Sequence, residues 1–556
     1  MKLKRSILAP LFVAVVGLTT GGWFLQRGAS PQQNVYLQAR LFEEVMQRVS
    51  TQFVEEKDPG DLYRMAIDGL LEELGDPHTA FLTPEDYEQL HLQTSGEYGG
   101  VGMQIDVRDG WVTVIAPLPN TPADRAGLRA GDRIIEIDDV TTEGWTTDRA
   151  VSVLRGRPGE PVRMEVARYG VDEPIPFRIV REEIHVKSVP SAYMIEDDLG
   201  YIELITFATT STDELRAAIA ELQGQGMRGV ILDLRRNPGG LLDQGVSVTD
   251  LFLDEGAEVV ETRSRAVGFS QTFRAENRDF YPELPMVVLV GPSSASASEI
   301  LAGALQDHDR ALVLGRTTYG KGSVQTLYEL SGGNYLKLTT GKWYTPSGRS
   351  IQKPFDESEQ RDLLVTDSVD ESGEERTAET TPDSLQYRTD AGRIVYGGGG
   401  IHPDLVVRGD TTTLQERALF DALESYGSEF YDALYGFSIE WETSNPELRP
   451  GFPVTDAMMD AFHQHLQARE IDVPRAIFDG AEEMLGERIA QEITRAKWGD
   501  VELRKRINAD DRQVRAAIEV LRAASTPLSV FQVAQRLEER YRLGSAGATP
   551  GAESRP

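Results

Sequence analysis

Cysteine is absent from the 556 residues, which removes thiol nucleophiles, disulfides and Cys-ligated zinc together and leaves the redox compartment undecided. Positive charge is short: 57 Lys plus Arg stand against 89 Asp plus Glu, a formal charge of -32. Such a surface repels phosphate backbones, so nucleic acid is excluded as a partner. Histidine is scarce too, with seven in the chain. There is no repeated unit of the kind that builds a solenoid. What is present is ordinary for folded protein, 40% hydrophobic and 26% charged residues, which excludes wholesale disorder, collagen and a polytopic membrane protein. At ~100 to 200 residues per domain, the length makes three to five compact units.

The first unit to separate is a targeting segment, residues 1–30. Lys2, Lys4 and Arg5 precede an apolar run from Ile7 to Leu25, broken only by small residues and Pro10. At ~1.5 Å per helical residue the run nearly spans a ~30 Å hydrocarbon layer, with the basic flank on the cytoplasmic side. No clean A-x-A cleavage site follows, and without cysteine there is no lipoprotein anchor. An uncleaved anchor is expected, leaving the chain exported to the periplasmic side of the cell envelope and tethered to the inner membrane.

The remainder divides by periodicity. Residues 31–94 carry apolar residues at helical spacing, as in Leu41, Val45 and Val49, then Leu62, Met65, Ile67, Leu70, Leu71 and Leu74. Residues 95–183 change to short alternating runs punctuated by Gly and Pro, a small β domain. Residues 184–410 alternate strands with helices in an α/β core: strands at Tyr201–Ile205, Val230–Leu234 and Met286–Val290, helices at Thr212–Gln223 and Ser298–Gln306. Within it, residues 355–396 are acid-rich and poor in large apolar groups, as expected of a solvated, disordered insertion. Residues 411–556 return to helical periodicity and end in a Gly, Ala, Ser and Pro tail. Two amphipathic stretches, Met484–Ile493 and Val514–Leu521, offer apolar faces for assembly into a homo-oligomer or for packing on the core, two outcomes the sequence leaves open.

Three stretches carry chemistry. Met286-Val-Val-Leu-Val-Gly-Pro-Ser-Ser-Ala-Ser-Ala-Ser-Glu299 runs an apolar strand through small residues into a helix, which places a serine beside helix N-terminal amides able to hold an oxyanion. On the residues alone, Ser293, Ser294, Ser296 and Ser298 read first as turn and N-cap residues, which serine at such a junction usually is, with a nucleophile among them as the alternative. Gly315-Arg-Thr-Thr-Tyr-Gly-Lys-Gly-Ser323 follows a phosphate-binding loop until its last position, where Gly322 replaces the Mg²⁺-binding hydroxyl. The alternation of Val324, Thr326, Tyr328 and Leu330 then reads as a hairpin, not the required helix. What remains is Lys321 framed by glycines, a lysine that desolvation could deprotonate. Gly229-Val-Ile-Leu-Asp-Leu-Arg-Arg-Asn-Pro-Gly-Gly240 ends a buried strand in paired glycines that allow close backbone approach to a ligand.

Together, Asp233-Leu-Arg-Arg-Asn-Pro-Gly-Gly240, Ser294-Ala-Ser-Ala-Ser-Glu299 and Tyr319-Gly-Lys-Gly-Ser-Val-Gln325 resemble the hallmarks of the carboxyl-terminal processing peptidases, or tail-specific proteases. Leu74-Gly-Asp-Pro-His-Thr79, Tyr344-Thr-Pro-Ser-Gly-Arg349 and Gly400-Ile-His-Pro-Asp404 extend the likeness over roughly residues 35 to 410. The resemblance implies a nucleophile at Ser296, a general base at Lys321, 25 residues later, and Gln325 positioning the lysine. The amides of Ala297 and of Gly239 or Gly240 would form the oxyanion hole. It also makes the β domain a PDZ module whose carboxylate-binding loop, Gly100, Val101, Gly102 and Met103, holds a substrate's free C-terminus while the peptide adds to a strand edge. Pro122-Ala-Asp-Arg-Ala-Gly-Leu-Arg-Ala-Gly-Asp132 matches the rest of that module.

The implied whole is an α+β and α/β multidomain protein: helical N-terminal region, PDZ-like domain, crotonase- or Clp-protease-like catalytic core and helical extension. Its implied activity is that of a serine endopeptidase cleaving exported proteins near apolar C-termini, with no metal or organic cofactor. Arg236 stands where the family has a small polar residue, and the extension matches no family motif. No histidine lies where it would pair with Ser296; His308, nearest in sequence, reads as a solvated helix end. No G-x-S-x-G elbow exists. The rival reading is an inactive PDZ scaffold or periplasmic chaperone, against which the retained serine, lysine and glutamine weigh.

Overall fold

The computed structural model describes residues 35–268, 270–353, 386–409 and 412–543. The targeting segment, most of the acidic insertion and the terminal tail lie outside them. No helix among the described residues is long and apolar enough to cross a membrane. The described residues form two compact units, one reaching Leu82 and including Leu327–Leu338, the other comprising Thr83–Thr326 and the chain from Thr339 onward.

In the first unit, helix Val35–Gln52 buries none of its residues, so Tyr36, Leu41, Phe42 and Val45 are exposed. Asp58 caps helix Pro59–Glu72 by accepting from the Gly60 amide at 2.7 Å. The helical texture expected over residues 31–94 is interrupted. Asp76 accepts from the His78 amide and the Thr79 hydroxyl, a local turn that competes with helix. Ala80–Leu82 then forms a strand antiparallel to Tyr335–Lys337.

The second unit is built on a six-stranded sheet in the order Ser191–Met194, Leu199–Glu203, Gly229–Asp233, Met286–Val290, Leu312–Gly315, Leu405–Val406. Only the first pair is antiparallel. The apolar runs of the middle strands are buried on both faces, as parallel strands under two helical layers must be. Alternate residues divide between the layers. Val230, Leu232, Met286 and Val288 pack with Leu215, Ile219, Ile300 and Leu301 of helices Ser211–Gly224 and Ala297–Asp307. Ile231, Val287 and Leu289 face the other way, onto Val514, Ala517, Val520 and Leu521 of helix Arg512–Ala523 and Val530 of helix Ser529–Leu543.

That second layer comes from the C-terminal extension. Its helical stretches are covered internally, so they do not offer the assembly faces considered above. Leu485, Ile489 and Ile493 lie in a separate helical core with Phe437, Phe462 and Phe478, and Val514–Leu521 closes the six-stranded sheet. Burying one such aliphatic side chain contributes roughly 1.5–3 kcal/mol, so losing the layer would exceed much of a domain's net stability of about 5–15 kcal/mol. The extension is therefore part of the fold. The acidic insertion is also shorter than its composition suggests, because Gln386–Arg388 and Ile394–Tyr396 pair as a hairpin. Arg393 anchors it with ion pairs to Asp309 and Asp404.

The β domain has strand order Met103–Arg108, Trp111–Pro117, Arg133–Ile137, Pro161–Ala167, Ile175–Val180, with Val140–Thr141 on the third strand. Met103–Arg108 is an edge strand, and helix Thr147–Leu154 lies beside it. The extension grips this domain. Tyr435 donates to the Val114 carbonyl and accepts from the Gly131 amide, both at 2.9 Å. Arg108 pairs with Asp432 at 3.2 Å, and Asp109 pairs with Arg133 and Arg469 at 2.6 and 2.8 Å. Gly131 has a φ of 86°, and a Cβ there would lie 2.8 Å from Ile439.

A hydrogen bond from Arg469, then the charges of Arg469 and Arg133, hold the Asp109 carboxyl below its ordinary range despite partial burial. Because the folded-state value is lowered, this stabilisation is present above the unfolded carboxyl pKa and is lost as pH falls through the folded value. The urea-unfolding difference between wild type and Asp109→Asn should be full at neutral pH and shrink in that acid window. A difference independent of pH would show that the two arginines do not hold the domain through this charge.

Candidate active site

The serine run follows the buried strand Met286–Val290 and enters helix Ala297–Asp307. Its four serines are not equivalent. Ser293 is exposed. Ser294 and Ser298 are buried and spend their hydroxyls on the carbonyls of Leu234 and Asn237, each at 2.8 Å. Ser296, half-buried, has φ 55° and ψ -113°. A non-glycine residue held there costs on the order of 1–3 kcal/mol and persists only where its surroundings over-determine it.

Glu299 supplies that constraint. Its fully buried carboxylate takes four donors. Oε1 accepts from Thr318 Oγ1 at 2.5 Å and the Gly320 amide at 2.7 Å; Oε2 accepts from the Lys321 amide at 2.9 Å and the Ser296 amide at 2.8 Å. One oxygen therefore binds the backbones of both Ser296 and Lys321, tying together two loops distant in sequence. Burial pushes the Glu299 carboxyl above its usual range, while its four donors favour the charged form.

The lysine loop is walled closely by backbone and by the Lys353 and Gln352 side chains. A Cβ on Gly320 would lie 2.8 Å from Lys353 and 3.1 Å from the Gly400 amide, and one on Gly322 would lie 3.0 Å from the Gln352 amide. Trp343 donates to the Lys321 carbonyl at 3.1 Å. Gln325 directs its amide nitrogen to Ser323 and Thr339, at 2.9 and 3.3 Å.

The paired-glycine loop meets the serine run from the other side. Gly239 has φ 99°, and a Cβ on it would lie 2.7 Å from the Ala295 carbonyl, 2.8 Å from Ser296 Cβ and 3.0 Å from the Ala297 amide. Gly240, at φ 149°, would clash with Phe207. Asn237 braces the turn, donating to the Leu204 carbonyl and accepting from the Gly239 amide, both at 2.9 Å. Behind it, Asp233 binds Arg235 and the Tyr201 hydroxyl, the latter at 2.7 Å. Burial opposes ionisation of Asp233, but the charge and hydrogen bonds of Arg235 hold its carboxyl below the usual range.

His308 follows the last residue of an 11-residue helix that begins beside Ser296, about 18 Å away at ~1.5 Å per residue. It is not the solvated residue its setting suggested: its ring contacts Asp390 and the Glu258 carbonyl, each at 2.7 Å, with 16% of the side chain exposed. Among the described residues, no group of three His, Cys, Asp or Glu could hold a metal ion.

The β-domain residues Gly100, Val101, Gly102 and Met103 form the turn into the edge strand. Gly102 has φ 77°, and a Cβ there would lie 2.3 Å from Thr121, whose hydroxyl donates to the Gly102 carbonyl at 2.7 Å. Asp233, Arg235, Asn237 and Glu299 stand within the sequence motifs, but the motifs alone assign them no role. A signal existed for Glu299, since a carboxylate three residues after a helix-capping serine reads as half of a capping box.

The sequence pattern of peptidase family S41 matches residues 198–357, and that of the PDZ domain residues 113–168. A carboxy-terminal-processing protease of Bartonella bacilliformis is 44% identical over 325 residues, 58% of this chain and 74% of its own length. The chain belongs to peptidase family S41. It is a serine-type, carboxy-terminal-processing peptidase carrying a PDZ domain. A Synechocystis carboxyl-terminal-processing protease is 40% identical over 52% of this chain and 68% of its own. A photosystem II D1 C-terminal processing protease of known structure is 32% identical over 55% of this chain and 82% of that one, with a TM-score of 0.33. The family pattern ends before the C-terminal extension.

For this S41 peptidase, Glu299→Gln tests the shared carboxylate. It places an NH₂ group among four donors, leaving buried donors unpaired at about 1–3 kcal/mol each. Peptide turnover should fall at least tenfold and the thermal midpoint should drop. Normal turnover would show that the bridge is dispensable.

Proposed function

We propose that this peptidase uses a Ser296–Lys321 dyad to cleave exported proteins near C-termini delivered by the PDZ domain. The supporting observation is the convergence of the Ser296 and Lys321 amides on one Glu299 oxygen, while Ser294 and Ser298 are tied to carbonyls and Ser293 points outward. Lys321, as the free amine, takes the hydroxyl proton as Ser296 Oγ attacks the scissile carbonyl. The oxyanion is held by the Ala297 and Gly240 amides, since Gly239 already donates to Asn237. The lysine's proton passes to the departing amine, releasing the C-terminal fragment, and water then hydrolyses the acyl-enzyme. Gln325 orders the lysine hairpin through Ser323 and Thr339. Substrate would lie along the free edge of Met103–Arg108, its carboxylate at the Gly100–Met103 turn and its side chains against helix Thr147–Leu154. Export rests on the basic-then-apolar start of the sequence.

Ser296→Ala should abolish cleavage with folding intact. Ser293→Ala should be near normal, and Ser298→Ala intermediate because it frees the Asn237 carbonyl. Arginine stays protonated, so Lys321→Arg should be as silent as Lys321→Ala at neutral pH. Turnover in Ser296→Ala would remove the nucleophile assignment, and substantial activity in Lys321→Arg would remove the base.

Recognition is tested separately with peptide pairs identical except at the C-terminus. Amidation, or acids added after an apolar end, should reduce kcat/KM at least tenfold. Equal cleavage of free and amidated peptides would take the PDZ turn out of substrate selection.

A further inference from the structure

The outer end of Arg235 is held by the C-terminal extension. Its guanidinium forks: Nε and Nη2 bind Asp233, while Nη1 donates to Asp511 Oδ2 at 2.6 Å and to Gln513 Oε1 at 3.0 Å. Both acceptors are themselves fixed. Asp511 Oδ1 caps helix Arg512–Ala523 through the amides of Gln513 and Val514, at 2.8 and 3.0 Å. Gln513 Nε2 donates to the Val407 carbonyl at 2.7 Å. Two residues beyond Arg235, Asn237 orders the Gly239–Gly240 turn, and Gly239 lies against Ser296.

We propose that Asp511, assisted by Gln513, is a positioning residue for the peptidase reaction, holding the Arg235–Gly240 loop against Ser296 through the Arg235 guanidinium. Removing the Asp511 charge leaves Nη1 without its strongest acceptor, and the loop that carries an oxyanion donor loses one of its fixed ends. Transition-state stabilisation depends on donors set to within a fraction of an ångström, whereas the PDZ turn is on another domain. The loss should therefore fall on kcat and spare KM. This inference rests on the Ser296 reading.

Asp511→Asn keeps a good helix cap but removes the charge facing Arg235. Arg522→Ala, on the same helix, removes an exposed ion pair with Glu196 and does not touch Arg235. In the full-length protein, Asp511→Asn should lower kcat about tenfold, with KM near wild type and a small drop in the thermal midpoint from the lost acceptor, while Arg522→Ala retains wild-type kcat. Wild-type kcat in Asp511→Asn would overturn the proposal. So would an equal fall in Arg522→Ala, which would indicate general undocking of the helix. Should Asp511→Asn fail to fold, Gln513→Ala removes the second acceptor and leaves the cap; a lowered kcat at unchanged KM is expected, and unchanged kcat overturns the proposal. Ser296→Ala is assayed alongside. Turnover there would overturn the nucleophile reading, whereas a silent Ser296→Ala beside a fully active Asp511→Asn overturns only the positioning role.

Discussion

A buried carboxylate with four donors holds the site together. Glu299 closes the N-terminus of its helix on Ser296 and reaches across to the loop that carries Lys321. Burying a carboxylate is expensive unless its lone pairs are filled, so this arrangement is stable only when both loops are in place. The same bonds fix the unfavourable backbone angles of Ser296. The surrounding donors and packed strands sustain the strain at Ser296.

The next layer outward is the Asp233–Arg235–Asp511 chain. Strand Gly229–Asp233 ends at the glycine loop, and the polar groups at that end are too buried to be satisfied by water. Tyr201, Arg235, Asp511 and Gln513 satisfy them instead. The extension thus covers one face of the catalytic sheet, fills the polar gap at the strand end and grips the PDZ domain through Tyr435, Asp432 and Arg469. The PDZ domain and the catalytic sheet are fastened to different helices of one extension, Ser428–Ser444 for the first and Arg512–Ala523 and Ser529–Leu543 for the second.

The parts legible in the sequence were those with a short-range cause. Met286–Val290 and Gly229–Asp233 are apolar runs long enough for a buried strand and too short for most helices, and structure and reading agree to within a residue. The PDZ strands show in alternation and glycine spacing. Long-range causes stayed hidden. The amphipathic faces around Met484 and Val514 have the same periodicity whether they meet another copy or their own sheet, so only tertiary structure distinguishes the two. The hairpin at Gln386–Tyr396 was masked by acidic composition, because its anchor is Arg393 pairing with Asp309, remote in sequence, and with Asp404 beyond the hairpin. His308 looked solvated because its partner, Asp390, is 82 residues away, within the stretch whose acidic composition reads as a solvated insertion.

The most direct test of the Glu299 bridge is the rate and position of fluorophosphonate labelling, followed by peptide mapping in wild type and Glu299→Gln. The expected result is an adduct on Ser296 alone in the wild type, forming at least tenfold more slowly in Glu299→Gln while the variant remains folded. An adduct on Ser293, Ser294 or Ser298, or an undiminished rate on Ser296 in the variant, would contradict a nucleophile and base aligned by one shared carboxylate.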